Sequence, residues 1–369
     1  MSDRTVSATA VADVTASMDL GWQLPAELYS DPQHYERERE AIFHRAWQFV
    51  CREEELGKPG DYVTTVLGDV PVVVVRDKDG SLQAHVNVCL HRLHPVAEGS
   101  GCKKILQCRY HGWTYGLDGS LKSAPRSQDE PGFDKSAMVL QSVAVDTLGG
   151  LVFANPDPNP TPLAEFAAPA EDLMVRHGID LGGWDLTGTF TYEVAANWKL
   201  FAENALECYH CPLVHNGTFG TAFHTESETY ICDNYVNVAT QVAPVAQAFP
   251  GESRASDDLG GFRMLFLWPF TYVSVDDYTG TVARMQPTGP HTCRFVVDTF
   301  ARPGTDPKVL EESLAMYDET FMEDKAVVTA QQIGYHSGRV PQGRLMTNSE
   351  SSIAMFQRRT WQALTGEAG

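Results

Sequence analysis

Cysteine and positive charge are both sparse in this 369-residue chain, and no long apolar run occurs. Eight cysteines, at positions 51, 89, 102, 108, 208, 211, 232 and 293, are too few for a disulfide scaffold in a chain of this size. The expectation is of thiols kept reduced and free to ligate metal. Lys and Arg total 28 against 48 Asp and Glu, a net charge of -20. Such a surface repels phosphate, so nucleic acid is not expected as a partner, whereas a cationic substrate is tolerated. No stretch approaches the roughly 18 apolar residues that span a bilayer, so no membrane association is expected. The opening MSDRTVSATAVADVTASMDL has no basic region ahead of a compact apolar core, which reads as a loose arm of a cytoplasmic protein, not a signal peptide. A glycine-rich dinucleotide fingerprint is also missing, so reducing equivalents must come from another protein.

What is present is enough apolar material, 43 % of residues, for two cores. The pattern predicts an α+β protein. Residues 1–45 form an arm and helices, with helical spacing over 31–50. Residues 46–160 read as short strands punctuated by GD and DG turns and end in the proline-rich NPDPNP segment. Residues 161–369 set helices (165–177, 198–210, 306–335, 349–364) against strands (186–196, 262–301), a helix-on-antiparallel-sheet arrangement on which the arm is expected to pack.

The stretch NVCLHRLHPVAEGSGCKKILQCRYHGWTY, residues 87–115, offers two tight pairs, Cys89-x-His91 and Cys108-x2-His111, 16 residues apart. His85, His94 and Cys102 have no partner at matching spacing and read as loop residues. Two Cys and two His suit tetrahedral zinc or a 2Fe-2S cluster. The order within the pairs separates these, because a zinc finger groups Cys with Cys, whereas here each loop supplies one thiol and one imidazole. CLHR and CRYHGWTYGLDG resemble the C-x-H-R and C-x-Y-H-G-W loops of Rieske domains. The resemblance implies a β-sandwich whose Cys89 and Cys108 hold one iron and whose His91 and His111 hold the other, a one-electron carrier that does no substrate chemistry itself.

A carrier needs little beyond that domain, and a second donor set lies in NWKLFAENALECYHCPLVH, residues 197–215. Glu207, His210 and His215 form E-x2-H-x4-H. On a continuous helix Glu207 and His210 share a face, while His210 and His215 are about 140° apart. Pro212 is placed to break the helix between them. Two imidazoles and a carboxylate with open positions form the triad of non-haem Fe(II) oxygenases. Cys208 and Cys211, a C-x2-C without a second pair, read as packed thiols.

The segment resembles the N-W-K-x3-E-N…[DE]-x-Y-H-x4-H motif of Rieske non-haem iron oxygenase α subunits, near the branch acting on glycine betaine, carnitine and stachydrine. That resemblance implies a Bet v1-like helix-grip catalytic domain and a mononuclear Fe(II) on His210 and His215. The third ligand comes from EDKAVVTAQQIG, where it points to Asp324, with Glu323 as the alternative. Glu207, standing where the family commonly has aspartate, is implied to bridge to a Rieske histidine, here His111, of a neighbouring subunit in a homotrimer, and Asn204 to lie near the iron. Also implied are O2 as co-substrate, and a reductase or ferredoxin delivering electrons from NAD(P)H. The reaction would be hydroxylation, dihydroxylation or demethylation of a small aromatic, alicyclic or N-methyl ammonium compound. For a cation, Phe201, Tyr209, Phe219, Phe223, Phe266, Trp268, Phe270 and Tyr272 are candidate cage residues. Two competing readings are a Rieske electron-transfer protein without oxygenase activity, which has no use for Glu207, His210 and His215, and a zinc-stabilised binding protein, which would be colourless.

Overall fold

A computed structural model describes residues 8–226, 230–246 and 261–367; the first seven residues of the expected arm lie outside them. The chain separates into two compact units, Phe43–Phe166 and a second made of Met1–Ile42 with Ala167–Gly369. It opens with α1 (Ala8–Asp19), α2 (Glu27–Ser30) and α3 (Pro32–Glu38). Asp31 caps α3 by accepting from Gln33 N at 2.9 Å, with Pro32 in the first turn. The helical pattern expected to run to residue 50 stops at a single π turn, Arg39–Phe43. Residues beyond it are claimed by a sheet, whose pairing overrides local propensity.

In the Phe43–Phe166 unit the strands are β1 (Gln48–Arg52), β2 (Asp61–Leu67), β3 (Val70–Arg76), β4 (Leu82–Val86), β5 (Ser100–Cys102), β6 (Leu106–Gln107), β7 (Thr114–Tyr115), β8 (Leu121–Ser123), β9 (Ser142–Leu148) and β10 (Leu151–Asn155), followed by α4 (Leu163–Phe166). They form a seven-stranded sheet, β1-β10-β9-β4-β3-β2-β5, and a three-stranded sheet, β6-β7-β8. The unbroken apolar run of β3, VPVVVVR, is explained by burial on both faces. Val72 and Val74 enter one core with Val50, Leu67 and Val152. Val73 and Val75 enter the other, with Leu106, Tyr115 and the thiols of Cys89 and Cys108.

The other unit continues with α5 (Ala170–His177), β11 (Asp185–Val194), α6 (Trp198–Asn204), α7 (Cys211–Val214), α8 (Phe219–Ala222), β12 (Ile231–Asn234), β13 (Val238–Ala243), β14 (Phe262–Leu267), β15 (Thr271–Val275), β16 (Thr279–Gly289), β17 (Thr292–Ala301), α9 (Pro307–His336) and α10 (Ser351–Thr365). Its strands form one antiparallel sheet in the order β11-β17-β16-β15-β14-β13-β12. Helix α9 buries Ser313, Tyr317, Thr320, Asp324, Val328 and Gln332, steps of three and four that define one face. Tyr317 donates to the buried Asp276 at 2.8 Å and Tyr192 to Asp318 at 2.7 Å, so α9 is tied to the sheet at two points.

Helix α6 carries a fully buried polar network. Lys199 Nζ pairs with Glu38 Oε1, whose other oxygen accepts from Trp198 Nε1 at 2.7 Å. On the neighbouring turn, Tyr29 donates to Glu203 at 2.6 Å and receives from Gln357 at 3.0 Å. Such a network orders the surrounding elements only when every member is satisfied. Burial, partly offset by hydrogen bonds from Tyr29 and Gln357, pushes the Glu203 carboxyl from 4.5 up to about 7. A raised carboxyl pKa stabilises the fold fully below the unfolded value, and that contribution is lost as pH rises through about 7. Glu203→Gln is therefore expected to flatten the pH dependence of unfolding between about 4.5 and 7 by roughly 3 kcal/mol. Denaturant titrations at pH 5 and 8 check it; an unchanged slope contradicts it.

Candidate metal centres

In the first unit the two Cys/His loops close in the same way. Cys89 N bonds His94 O at 2.8 Å and Leu93 N returns to Cys89 O at 3.0 Å; Cys108 N bonds Trp113 O at 2.9 Å and Gly112 N returns to Cys108 O at 3.1 Å. The fifth residue of each loop takes positive φ, 59° at Leu93 and 75° at Gly112. Glycine meets that requirement freely, while Leu93 adopts it against its own preference, as residues at constrained sites do. The result is two similar loops presenting two thiols and two imidazoles. Cys89 and Cys108 are buried in the same core, and Tyr115 OH lies 3.4 Å from the Cys89 sulfur while accepting from Leu90 N. The His91 and His111 rings are outside them, exposed, with centroids 4.5 Å apart, and Trp113 stacks on His91 at 5.1 Å. A buried thiol pair beside an exposed imidazole pair fits a 2Fe-2S cluster with sulfur ligation inside and nitrogen ligation outside. His85 and Cys102, expected as loop residues, lie instead on β4 and β5 and stay out of this set, His85 buried against Leu117 O and Cys102 exposed, whereas the loop residue His94 has Nδ1 3.9 Å from the Cys108 sulfur.

In the second unit α6 ends at Asn204, six residues short of the expected helix end. Glu207 and His210 therefore do not share a regular helix face. His210 instead caps α7, with Pro212 in its first turn. Glu207 holds this bend: one oxygen accepts from the backbone N–H groups of Tyr209 and His210, the other pairs with His210 Nδ1. Helix α8 packs tightly behind it, because a Cβ at Gly220 would lie 2.7 Å from Cys211 O and 2.8 Å from His215 O.

Three donor atoms converge here. His210 Nε2 is 3.0 Å from His215 Nε2, and Asp324 Oδ1 is 3.1 Å from His215 Nε2 and 3.3 Å from His210 Nε2. Each histidine engages a second carboxylate through Nδ1: His210 to Glu207, and His215 to Glu323 at 2.7 Å. A carboxylate only accepts, so it fixes the proton on Nδ1 and leaves the Nε2 lone pair facing inward. Two lone pairs and a carboxylate aimed at one point repel unless a cation sits between them. Donors about 2.1 Å from an ion in adjacent positions lie about 3 Å apart, which is the spacing found. The set of two imidazoles and one carboxylate suits Fe(II). In the metal-free protein, protons take that role. Burial opposes charge on His210, but bonds to Asp324 and Glu207 win and raise it to about 10. Burial likewise opposes the Asp324 carboxylate, yet the two histidines hold it down to about 2.

The structure separates the two acidic candidates on α9: Asp324 faces both Nε2 atoms, while Glu323 lies behind His215 and also accepts from Thr218 at 2.8 Å. Asn204 donates to Asp324 Oδ1 at 2.7 Å. Cys208 and Cys211, expected as free packed thiols, are joined by a disulfide.

Over these donors opens a small cavity of about 90 Å³. Phe219, Phe262, Tyr272, Phe295, Tyr317 and Phe321 wall it, with Gln241, Ser274, Thr281 and Thr320 as polar points. Of the aromatic residues proposed from sequence, only Phe219 and Tyr272 line it. Phe201, Phe223, Phe266 and Phe270 are core residues packed on other rings, Trp268 is buried against Thr360, and Tyr209 is exposed. Four wall residues were missed, although two signals existed: Tyr317 and Phe321 precede Asp324 by seven and three positions on its helix face, and Phe262 and Met264 alternate along β14.

A sulfur–imidazole cluster site in one unit and a two-histidine, one-carboxylate centre beneath an apolar cavity in the other define a terminal oxygenase fed by an iron–sulfur electron carrier. The chain belongs to the Rieske ring-hydroxylating oxygenase α-subunit family: residues 46–143 match the Rieske [2Fe-2S] domain, and residues 181–366 the ring hydroxylating alpha subunit catalytic domain. It is 32 % identical to the carnitine monooxygenase oxygenase subunit of Acinetobacter baumannii over 94 % of this chain and 95 % of that protein. It is 29 % identical to the chloroplastic choline monooxygenase of Spinacia oleracea over 90 % of this chain and 76 % of that protein. The crystal structure of the quaternary ammonium Rieske monooxygenase CntA with L-carnitine superposes with a TM-score of 0.82 at 32 % identity, covering 95 % of this chain and 98 % of that one. Naphthalene 1,2-dioxygenase from Rhodococcus sp., at 19 % identity and a TM-score of 0.77 over 98 % and 100 % of the two chains, shares the fold. The protein is an oxidoreductase that uses a 2Fe-2S cluster, mononuclear iron, O2 and electrons from a donor protein on a small-molecule substrate. No helix among the described residues is long and apolar enough to cross a membrane.

Proposed function

We propose that the protein is a monooxygenase of quaternary ammonium compounds, with Cys89, His91, Cys108 and His111 holding the Rieske cluster and His210, His215 and Asp324 holding the iron. When bound, these groups supply one-electron transfer and O2 activation respectively. The observation that carries the reading is the convergence of the three donor atoms within 3.0–3.3 Å at the floor of an aromatic cavity. Faces of Phe and Tyr rings attract a desolvated cation, and the curated relatives oxidise carnitine or choline by name.

The chain's own residues have defined tasks in this scheme. Glu207 holds the proton on His210 Nδ1 and keeps Nε2 turned inward; Glu323, steadied by Thr218, does the same for His215. Asn204 donates to Asp324 and fixes the orientation of that carboxylate. The ring walls exclude water and present methyl groups of the substrate to the metal. Glu207 is also the assigned contact for electrons arriving from the partner subunit's His111 in a cytoplasmic homotrimer, with a reductase or ferredoxin supplying the cluster from NAD(P)H.

The test is NAD(P)H-coupled oxygen uptake with a generic reductase. Choline, carnitine and glycine betaine are compared with 3,3-dimethylbutanol, in which carbon replaces the quaternary nitrogen. A trimethylammonium compound is expected to stimulate uptake with a KM on the order of tenfold or more below that of its neutral isostere, the scale of about 2 kcal/mol for a desolvated cation on aromatic faces. Equal use of both would remove the cation from the assignment.

A further inference from the structure

We propose that Cys208 and Cys211 are a reversible thiol–disulfide site that decides which metal the mononuclear centre takes. The proposal rests on the iron assignment above for the competing ion, and on a separate set of observations for the cysteines. The two lie on either side of Tyr209 and His210, with Cα atoms 4.9 Å apart and their sulfurs bonded. They are 4 % and 2 % exposed, yet both line the cavity above the metal donors, and Cys208 lines a second cavity behind it with Cys232. Small reagents therefore have a route to the pair even though bulk solvent does not cover it.

The Cys211 sulfur is 4.0 Å from His210 Nε2. It and the ring nitrogens of His210 and His215 all lie within 4.8 Å of one another, a grouping able to close on one ion. Two donor sets thus share the same histidines: His210, His215 and Asp324, and His210, His215 and Cys211. A thiolate is a soft donor that favours zinc, whereas the carboxylate set is the one suited to Fe(II). In the disulfide, Cys211 carries no thiolate and the second set does not exist. In the dithiol it does. Conversion is a two-electron exchange with a low-molecular-weight disulfide: the S–S bond of that reagent breaks as the Cys208–Cys211 bond forms, both cysteines are oxidised, and their two protons leave on the two small thiols released.

The experiment uses the full chain with its Rieske cluster intact, judged by absorbance, after the mononuclear metal is removed with a mild chelator. One portion is treated with oxidised glutathione and the other with a phosphine reductant. Alkylation followed by intact mass is expected to count two fewer thiols in the first. Titration with chelator-buffered Zn2+ is expected to give at least about tenfold tighter binding in the reduced portion, the scale on which changes around a metal donor move affinity. Cys208→Ser is expected to keep the tight zinc binding after oxidant, and Cys211→Ser to lose it in both states. Equal thiol counts in the two portions, or zinc affinity that does not depend on Cys211, would overturn the proposal. Fe(II) titration of His215→Ala is read alongside: undiminished iron binding there would sink the iron assignment, independently of the zinc result.

Discussion

Asp324→Ala is expected to lower substrate-stimulated oxygen uptake by more than about 100-fold and to leave the protein without mononuclear iron, while the Rieske absorption is unchanged. Among the described residues Asp324 Oδ1 is the one carboxylate oxygen facing both inward Nε2 atoms, at 3.1 and 3.3 Å. Its removal leaves two imidazoles, each held in place by a carboxylate behind it, and no anionic donor toward the ion. Altering a partner one shell out typically costs 10–100-fold in metal affinity or activity, so loss of a direct ligand must exceed that. Glu323→Gln is the informative comparison. Glu323 bonds His215 Nδ1 and Thr218, so its replacement is expected to stay within the 10–100-fold range and to retain much of the iron. Metal analysis of the two purified variants distinguishes them. If Glu323→Gln loses the iron and Asp324→Ala keeps it, the two roles are reversed.

The second large effect concerns Glu207. Glu207→Gln keeps the shape of the side chain but replaces an obligate acceptor with an amide, at a position where one oxygen meets His210 Nδ1 and the other meets two backbone N–H groups. Both metal centres are expected to remain loaded. In single turnover, a pre-reduced Rieske cluster mixed with substrate and O2 is expected to reoxidise at least about 100-fold more slowly than in the parent protein, the upper end of the range for partners of a metal ligand. Glu207→Asp retains the acceptor with one methylene less and is expected to fall between. Reoxidation at the parental rate in Glu207→Gln would remove the residue from the electron path and leave it only the task of holding the bend before α7.

These two residues mark where sequence reading stopped. The Cys/His pairs at 89–91 and 108–111 were legible because ligand order within each loop is itself chemical information, and the structure adds the matching closure of the two loops. The E-x2-H-x4-H spacing was legible too. The helix expected over 198–210 was not correct in its second half, since α6 stops at Asn204 and the Glu207 side chain, competing for backbone N–H groups, takes over the turn. Local spacing could not report a side chain folding back on its own backbone.

The sequence by itself determined the class: it carries two Cys/His pairs and an E-x2-H-x4-H set as candidate metal donors, and the family they resemble is the one the chain belongs to. Periodicity was sufficient for the α+β division, because strands that alternate and helices that step by three and four carry their packing in their own pattern. Only the tertiary structure decided which of two adjacent carboxylates on α9 faces the donors and which stands behind a histidine. Glu323 and Asp324 are one residue apart, about 100° around the helix, so composition treats them alike and the family resemblance only ranks Asp324 ahead of Glu323. The distinction exists only once Tyr317 and Tyr192 fix the rotation of α9 against the sheet. The cavity wall came the same way: Phe262, Phe295, Tyr317 and Phe321 belong to three elements far apart in sequence and meet only after the sheet is assembled. Spacing relates Tyr317 and Phe321 to Asp324 on one helix face and Phe262 to Met264 on one strand, but nothing in it relates one element to another.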